Sequence, residues 1–260
     1  MKFYCHILSA ALFAIALAGC LYHQNIEKDV LFQTSTINAL LEGVYDGDTA
    51  YKEIEKHGDF GIGTFNALDG EMIGLDGIFY QIKSDGIAYL VDDSMKSPFA
   101  VVTFFEPDKT LLIDKSIDYN QLEEYLDNLI PTKNIFYAIK FEGLFSYIKV
   151  RSAPRQNKPY PPLVDAVKDQ TVFEFYNVRG MIVGFRLPDY MKGLNVPGYH
   201  FHFITEDRKA GGHLLECIIQ NATAELDYTT GLYMVLPEHD AFYRTDLSED
   251  RQKELENIER

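Results

Sequence analysis

Apolar residues in this chain mostly fall in short runs and alternations separated by turn signals, a pattern that predicts strands. From residue 59 to 106 the runs are broken by Asp69-Gly70 and Asp76-Gly77, both strong tight-turn dipeptides. Phe99 to Phe105 is an apolar run, broken only by Thr103, and of strand length, which predicts a strand buried on both faces. Ile135 to Val150 and Val172 to Leu187 are longer strand-rich stretches. Each has a glycine near its middle, Gly143 and Gly180, and each reads as a hairpin or a long bent strand. Gly198 to Leu236 is again strands joined by turns.

Helical spacing is rarer. Ile37 to Gly43 reads as a short helix capped by Thr34 or Ser35 and ended by Gly43. Asp48 to His57 reads as a second, closed by Gly58. Leu122, Tyr125, Leu126 and Leu129 recur at helical spacing within Asp118 to Leu129, and Pro131 stops that helix. A Pro-rich loop, Pro154 to Pro162, leads to a helical turn around Val164 to Val167. The architecture expected is α/β: two mixed, strand-rich sheet halves with a few peripheral helices. The halves are residues 30–140 and 141–246, with the division near 130–160 and a charged tail at 247–260.

The first residues form a targeting segment. Lys2 supplies a positive start, and Ile7 to Ala18 is an apolar run too short to span a bilayer comfortably. The run ends in Leu17-Ala18-Gly19-Cys20, which resembles a bacterial lipobox. The expectation is removal of residues 1–19 and lipidation of Cys20. Residues 20–29 then tether an exported, membrane-anchored lipoprotein, periplasmic or at the cell surface. The rival reading is an ordinary signal peptide with a chance cysteine. With Cys5 discarded and Cys20 acylated, Cys217 has no disulfide partner. It lies in the apolar run Leu214 to Ile219 and reads as a small buried hydrophobe.

Composition adds constraints. Of 260 residues 47% are hydrophobic, with 17 Tyr, 18 Phe and no Trp, so a packed core is expected. The formal charge of −15 disfavours a nucleic-acid partner. It also repels small anions, so an anionic substrate needs a local positive centre, which a metal can supply.

The chemistry concentrates in one stretch. The chain has 7 histidines, and three of them are His200, His202 and His213. In a strand His200 and His202 share a face, while Tyr199, Phe201 and Phe203 take the other. The polar turn Glu206 to Gly212 allows an antiparallel return that brings His213 alongside. Three imidazoles on one face of a C-terminal-half hairpin make a metal site with open positions, the composition of a catalytic zinc centre. Iron, cobalt, nickel and copper suit the same ligands. The bland alternative is a polar strand face. Glu71, after the Asp69-Gly70 turn, is either an exposed turn residue or inward-facing, and Arg151 at a strand end is ordinarily solvated.

Several stretches together resemble the acetolactate decarboxylase family along nearly the whole chain after the leader. They include Leu31-Phe-Gln-Thr-Ser-Thr-Ile-Asn-Ala-Leu40, Gly61-Ile-Gly-Thr-Phe-Asn-Ala-Leu-Asp-Gly-Glu-Met72 and Asn195-Val-Pro-Gly-Tyr-His-Phe-His-Phe-Ile-Thr-Glu-Asp207 with Gly211-Gly212-His213. The resemblance implies His200, His202 and His213 as zinc ligands, Glu71 and Arg151 as active-site residues and Thr64 as a pocket residue. It also implies a glutamate returning from the C-terminal tail. Ungapped counting gives Glu259, with Glu254 and Glu256 as competitors. Ala153 and Arg155 depart from the family's pattern around Arg151, and the lipobox departs from plain secretory or cytosolic forms. The implied assembly is a homodimer extending sheets across subunits.

The implied reaction is metal-dependent decarboxylation of a branched 2-hydroxy-3-oxo acid, 2-acetolactate, to acetoin through a metal-stabilised enediolate. Two other classes compete. A cupin-like three-histidine enzyme would show further Glu or His ligands in a barrel repeat, which the sequence lacks. A non-catalytic metal-binding lipoprotein would not need Arg151 and Glu71 beside the metal.

Overall fold

The computed structural model describes residues 28–259. The leader 1–19, Cys20 and most of the expected tether lie outside the described residues. In chain order the strands are β1 (Val30–Thr34), β2 (Thr49–Ala50), β3 (Phe60–Thr64), β4 (Glu71–Leu75) and β5 (Ile78–Ile82). β6 (Ala88–Leu90), β7 (Lys96–Ser97), β8 (Ala100–Thr103), β9 (Lys109–Ile113) and β10 (Ile117–Asp118) follow. The last five are β11 (Phe136–Ser152), β12 (Thr171–Leu187), β13 (Gly198–Thr205), β14 (Gly211–Thr229) and β15 (Gly231–Val235).

Two large sheets carry the architecture, and their strand-rich character agrees with the expected class. The first runs β15-β1-β8-β3-β4-β5-β6 and is mixed, because β15 lies parallel to β1 while the other pairings are antiparallel. The second is antiparallel and runs β10-β14-β11-β12-β13, with β9 also on β14. The expected 140/141 division falls inside β11, and β15 returns from the C-terminal part to complete the first sheet. The sheets are therefore not two consecutive segments.

Local sequence accounts for much of this. Asp76 and Gly77, both at positive φ, make the two-residue turn between β4 and β5, pairing Leu75 with Ile78. β8 is buried at all four positions, as its apolar run requires. The two long stretches are single strands of 17 residues each, not hairpins. Their glycines meet: Gly143 pairs with Gly180 on one side and Ala222 on the other. A Cβ at Gly143 would lie 2.1 Å from the Asn221 carbonyl oxygen, and one at Gly180 would lie 2.5 Å from the Phe203 ring. The missing side chains let the backbones of neighbouring strands approach there, and the sheet curls back on itself, since β13 pairs with the beginning of β14 as well as with β12.

Some local expectations give way to tertiary context. Thr34 ends β1, and Thr36 caps the helix Ile37–Leu41 by accepting the Ala39 amide. The helix expected over Asp48 to His57 shrinks to Tyr51–Ile54, because Thr49-Ala50 pairs with β7. Asp118 and Gln121 form a capping box for the helix Tyr119–Asp127. The charged tail contains a further helix, Gln252–Glu259, with Leu255 and Ile258 buried.

The core is layered accordingly. Leu31, Ile62, Ile73 and Val101 of the first sheet pack with Val183, Phe185 and Ile204 of the second. Inside the curl of the second sheet sit Phe141, Phe145, Ile182, Phe201, Phe203 and Cys217. Phe201 and Phe203 thus point into the curl, and the alternate residues of β13 point toward the first sheet.

Candidate active site

His200 and His202 are those alternate residues. His202 lies directly opposite His213 on β14, and their placement on one face leaves candidate ligand atoms of all three histidines within 4.8 Å of one another. Gly212 is needed beside this pair, since a Cβ there would lie 2.5 Å from the Arg151 carbonyl oxygen. The His202 Nδ1–H donates to the Met72 carbonyl at 2.8 Å, which fixes the ring and turns Nε2 toward the cluster. His200 Nε2 lies 3.2 Å from His213 Nδ1.

The remaining expected residues converge on the same point. Thr64 and Glu71 are directly paired on β3 and β4, and the Thr64 hydroxyl donates to the Gly70 carbonyl at 2.7 Å. Glu71 faces inward: its carboxylate is 3.8 Å from His202 Nε2. The loop that delivers it carries Ala67 and Leu68 at positive φ, a conformation costing about 1–2 kcal/mol per residue and held by the surrounding packing. Arg151 pairs directly with His213 across β11 and β14 and is 4% exposed. Its Nη2 donates to the Ile258 carbonyl at 3.0 Å and lies 3.8 Å from Glu259 Oε1.

Among the tail glutamates, the structure brings Glu259 to the cluster. Its Oε2 is 3.3 Å from His200 Nε2 and 3.7 Å from His213 Nε2. Glu254 instead takes an Arg251 hydrogen bond at 2.8 Å, and Glu256 takes one from Gln252 at 3.1 Å. Ile37, Leu40, Leu68, Phe99 and Leu163 form an apolar wall over the same cavity as Glu71, Arg151, His200, His202 and Glu259.

Burial dominates the electrostatics. It holds the imidazoles neutral, His200 at about 3 and His202 and His213 well below the usual histidine value, with the Arg151 charge adding to the effect. Burial also pushes Glu71 up to about 7, against the pull of Arg151, and raises Glu259 likewise. Neutral imidazoles are what a metal requires. His213 Nε2 and Glu259 Oε2 are buried without hydrogen-bond partners, and both face the cluster. This donor set, three imidazoles with a carboxylate in reach, fits a divalent transition ion.

The sequence pattern pointed to the ligands but not to their supports. The Met72 carbonyl that orients His202, and the Ile258 carbonyl that accepts from Arg151, are backbone groups carrying no residue-type signal.

The comparisons agree with this geometry. The family model for alpha-acetolactate decarboxylase matches residues 31–249. The alpha-acetolactate decarboxylase of Methanosarcina mazei is 54% identical over 91% of this chain and 82% of that protein. The one from Methylococcus capsulatus is 49% identical over 93% of each chain. The crystal structure of alpha-acetolactate decarboxylase from Bacillus subtilis strain 168 superposes with a TM-score of 0.87 at 44% identity, covering 88% of this chain and 99% of that one. A buried three-histidine metal-binding group between two β-sheets defines the class of protein. The chain belongs to the alpha-acetolactate decarboxylase family.

Proposed function

We propose that this protein decarboxylates 2-acetolactate to acetoin. The observation that carries the reading is the convergence of Arg151, Glu71 and Glu259 on the three-histidine cluster. The substrate's carboxylate lies β to a ketone. As the bond to that carboxylate breaks, its electron pair forms the carbon–carbon double bond of an enediolate, negative charge moves to the ketone oxygen and carbon dioxide leaves. A bound divalent metal supplies Lewis acidity toward that oxygen.

The chain's own residues supply the rest. Arg151 offers a fixed, buried guanidinium whose Nε has no protein partner, suited to hold the carboxylate before it departs. The apolar wall of Leu40, Leu68, Phe99 and Leu163 keeps water from the site. Acetoin forms when a proton reaches the carbon that lost carbon dioxide. We assign that delivery to Glu71, whose inward-facing carboxyl lies 3.8 Å from His202 Nε2 and is pushed up to about 7 by burial.

Zinc is the ion we assign to the site, on the all-imidazole donor set. The finer readings that complete the proposal are a homodimer joined by sheet extension and an exported lipoprotein held to the membrane through acylated Cys20. Carbon dioxide release from acetolactate by the purified, metal-loaded protein tests the activity. No release above the uncatalysed rate would remove the reading.

A further inference from the structure

The C-terminal helix brings Glu259 to the site, where the buried Arg151 donates to the Ile258 carbonyl at 3.0 Å. It is eight residues long, ends the described chain and buries two apolar side chains, Leu255 and Ile258. An isolated helix of this length is not stable in water, and chain ends fray unless tied down. A second tie lies at the other end of the helix. Arg251, immediately before it, forms ion pairs with Glu42, with Glu249 at 3.6 Å and with Glu254 at 2.8 Å. Glu254 lies one turn into the helix, so the guanidinium joins the helix start to Glu42.

Glu42 is itself the C-cap of the helix Ile37–Leu41. One turn back on that helix, Asn38 donates to the Leu247 and Glu249 carbonyls, each at 3.3 Å. The same helix contributes Ile37 and Leu40 to the wall of the cavity lined by His200, His202 and Glu259. The staple therefore fixes the tail helix against an element that already belongs to the site. Arg251 precedes Glu259 by eight residues, about 12 Å along a helix, too far to touch a substrate at the histidines.

We propose that Arg251, with Glu42, is a positioning residue for catalysis: the staple docks the C-terminal helix so that Glu259 meets the imidazole cluster. The role in catalysis rests on the decarboxylase reading, whereas the docking does not. The full-length protein with Arg251→Ala should show amide hydrogen exchange over residues 252–259 raised at least tenfold. Its kcat should fall about tenfold, with a smaller change in KM. Glu42→Gln should move both quantities in the same direction, and Arg251→Lys should recover part of the loss. In a Glu259→Gln background, adding Arg251→Ala should lower the residual turnover less than twofold, because the group that the staple positions is already gone. Unaltered exchange in 252–259, or the same fold-loss in both backgrounds, overturns the proposal. If the parent protein does not release carbon dioxide from acetolactate, the functional reading fails, and the exchange measurement still decides whether Arg251 docks the helix.

Discussion

Arg151 and His213 stand directly opposite each other on β11 and β14, so a permanent cation is built into the sheet position next to a metal-ligand candidate. Burial keeps His213 neutral, and the Arg151 charge beside it adds to the effect. An acidic chain thereby holds a buried guanidinium beside its histidine cluster.

Removing a ligand should empty the site. His202→Ala loses a buried ring fixed by the Met72 carbonyl, and bound zinc should drop from about one ion per chain to near zero, measured by elemental analysis with circular dichroism confirming the fold. Metal content equal to the parent's would reject the cluster as the binding site.

Replacing Arg151 should separate metal binding from substrate handling. Arg151→Ala should retain the ion and lose a charged contact worth about 1.5–3 kcal/mol, roughly tenfold to hundredfold in turnover. Arg151→Lys should recover little, since an ammonium cannot present the planar fork. Parent-level turnover in either variant would contradict the role.

Glu71→Gln keeps the size of the side chain and removes its acidity. Turnover should fall strongly while metal content and binding of a neutral diol such as butanediol persist, read by calorimetry. A variant with unchanged rate and unchanged acetoin stereochemistry excludes Glu71 as the proton donor.

A pH effect on stability is expected away from the site. Asp227 is fully buried, its Oδ1 has no partner, and burial pushes its carboxyl up to about 7. A folded-state value above the unfolded one, about 3.9, gives stability that is complete below pH 4 and lost as pH rises through about 7. Asp227→Asn abolishes that titration. The variant should exceed the parent by on the order of 1–3 kcal/mol at pH 8 and nearly match it at pH 4 in denaturant melts. An equal difference at both pH values would point to packing instead.

The proposed anchor has its own test. Cys20→Ser should abolish acylation and move the protein from the membrane fraction to the soluble fraction. A mature N-terminus elsewhere, without lipid, removes that reading.

What the sequence by itself determined follows from short-range rules. Alternation along Gly198 to Thr205 put His200 and His202 on one face, the Gly211-Gly212 return brought back His213, and the Asp76-Gly77 dipeptide set a hairpin. These depend on strand periodicity and backbone sterics, which act within a few residues. Only the tertiary structure decided that the two long stretches are single strands paired through Gly143 and Gly180. It also decided that β15 completes the first sheet and that the charged tail folds into a helix delivering Glu259 instead of Glu254 or Glu256. Those outcomes rest on pairings between residues far apart in the chain, such as Val30 with Gly231 and Glu42 with Arg251. The tail's local composition favours solvent. Its placement comes from burying Leu255 and Ile258, about 1.5–3 kcal/mol each when complete, on a surface that exists only after both sheets have formed.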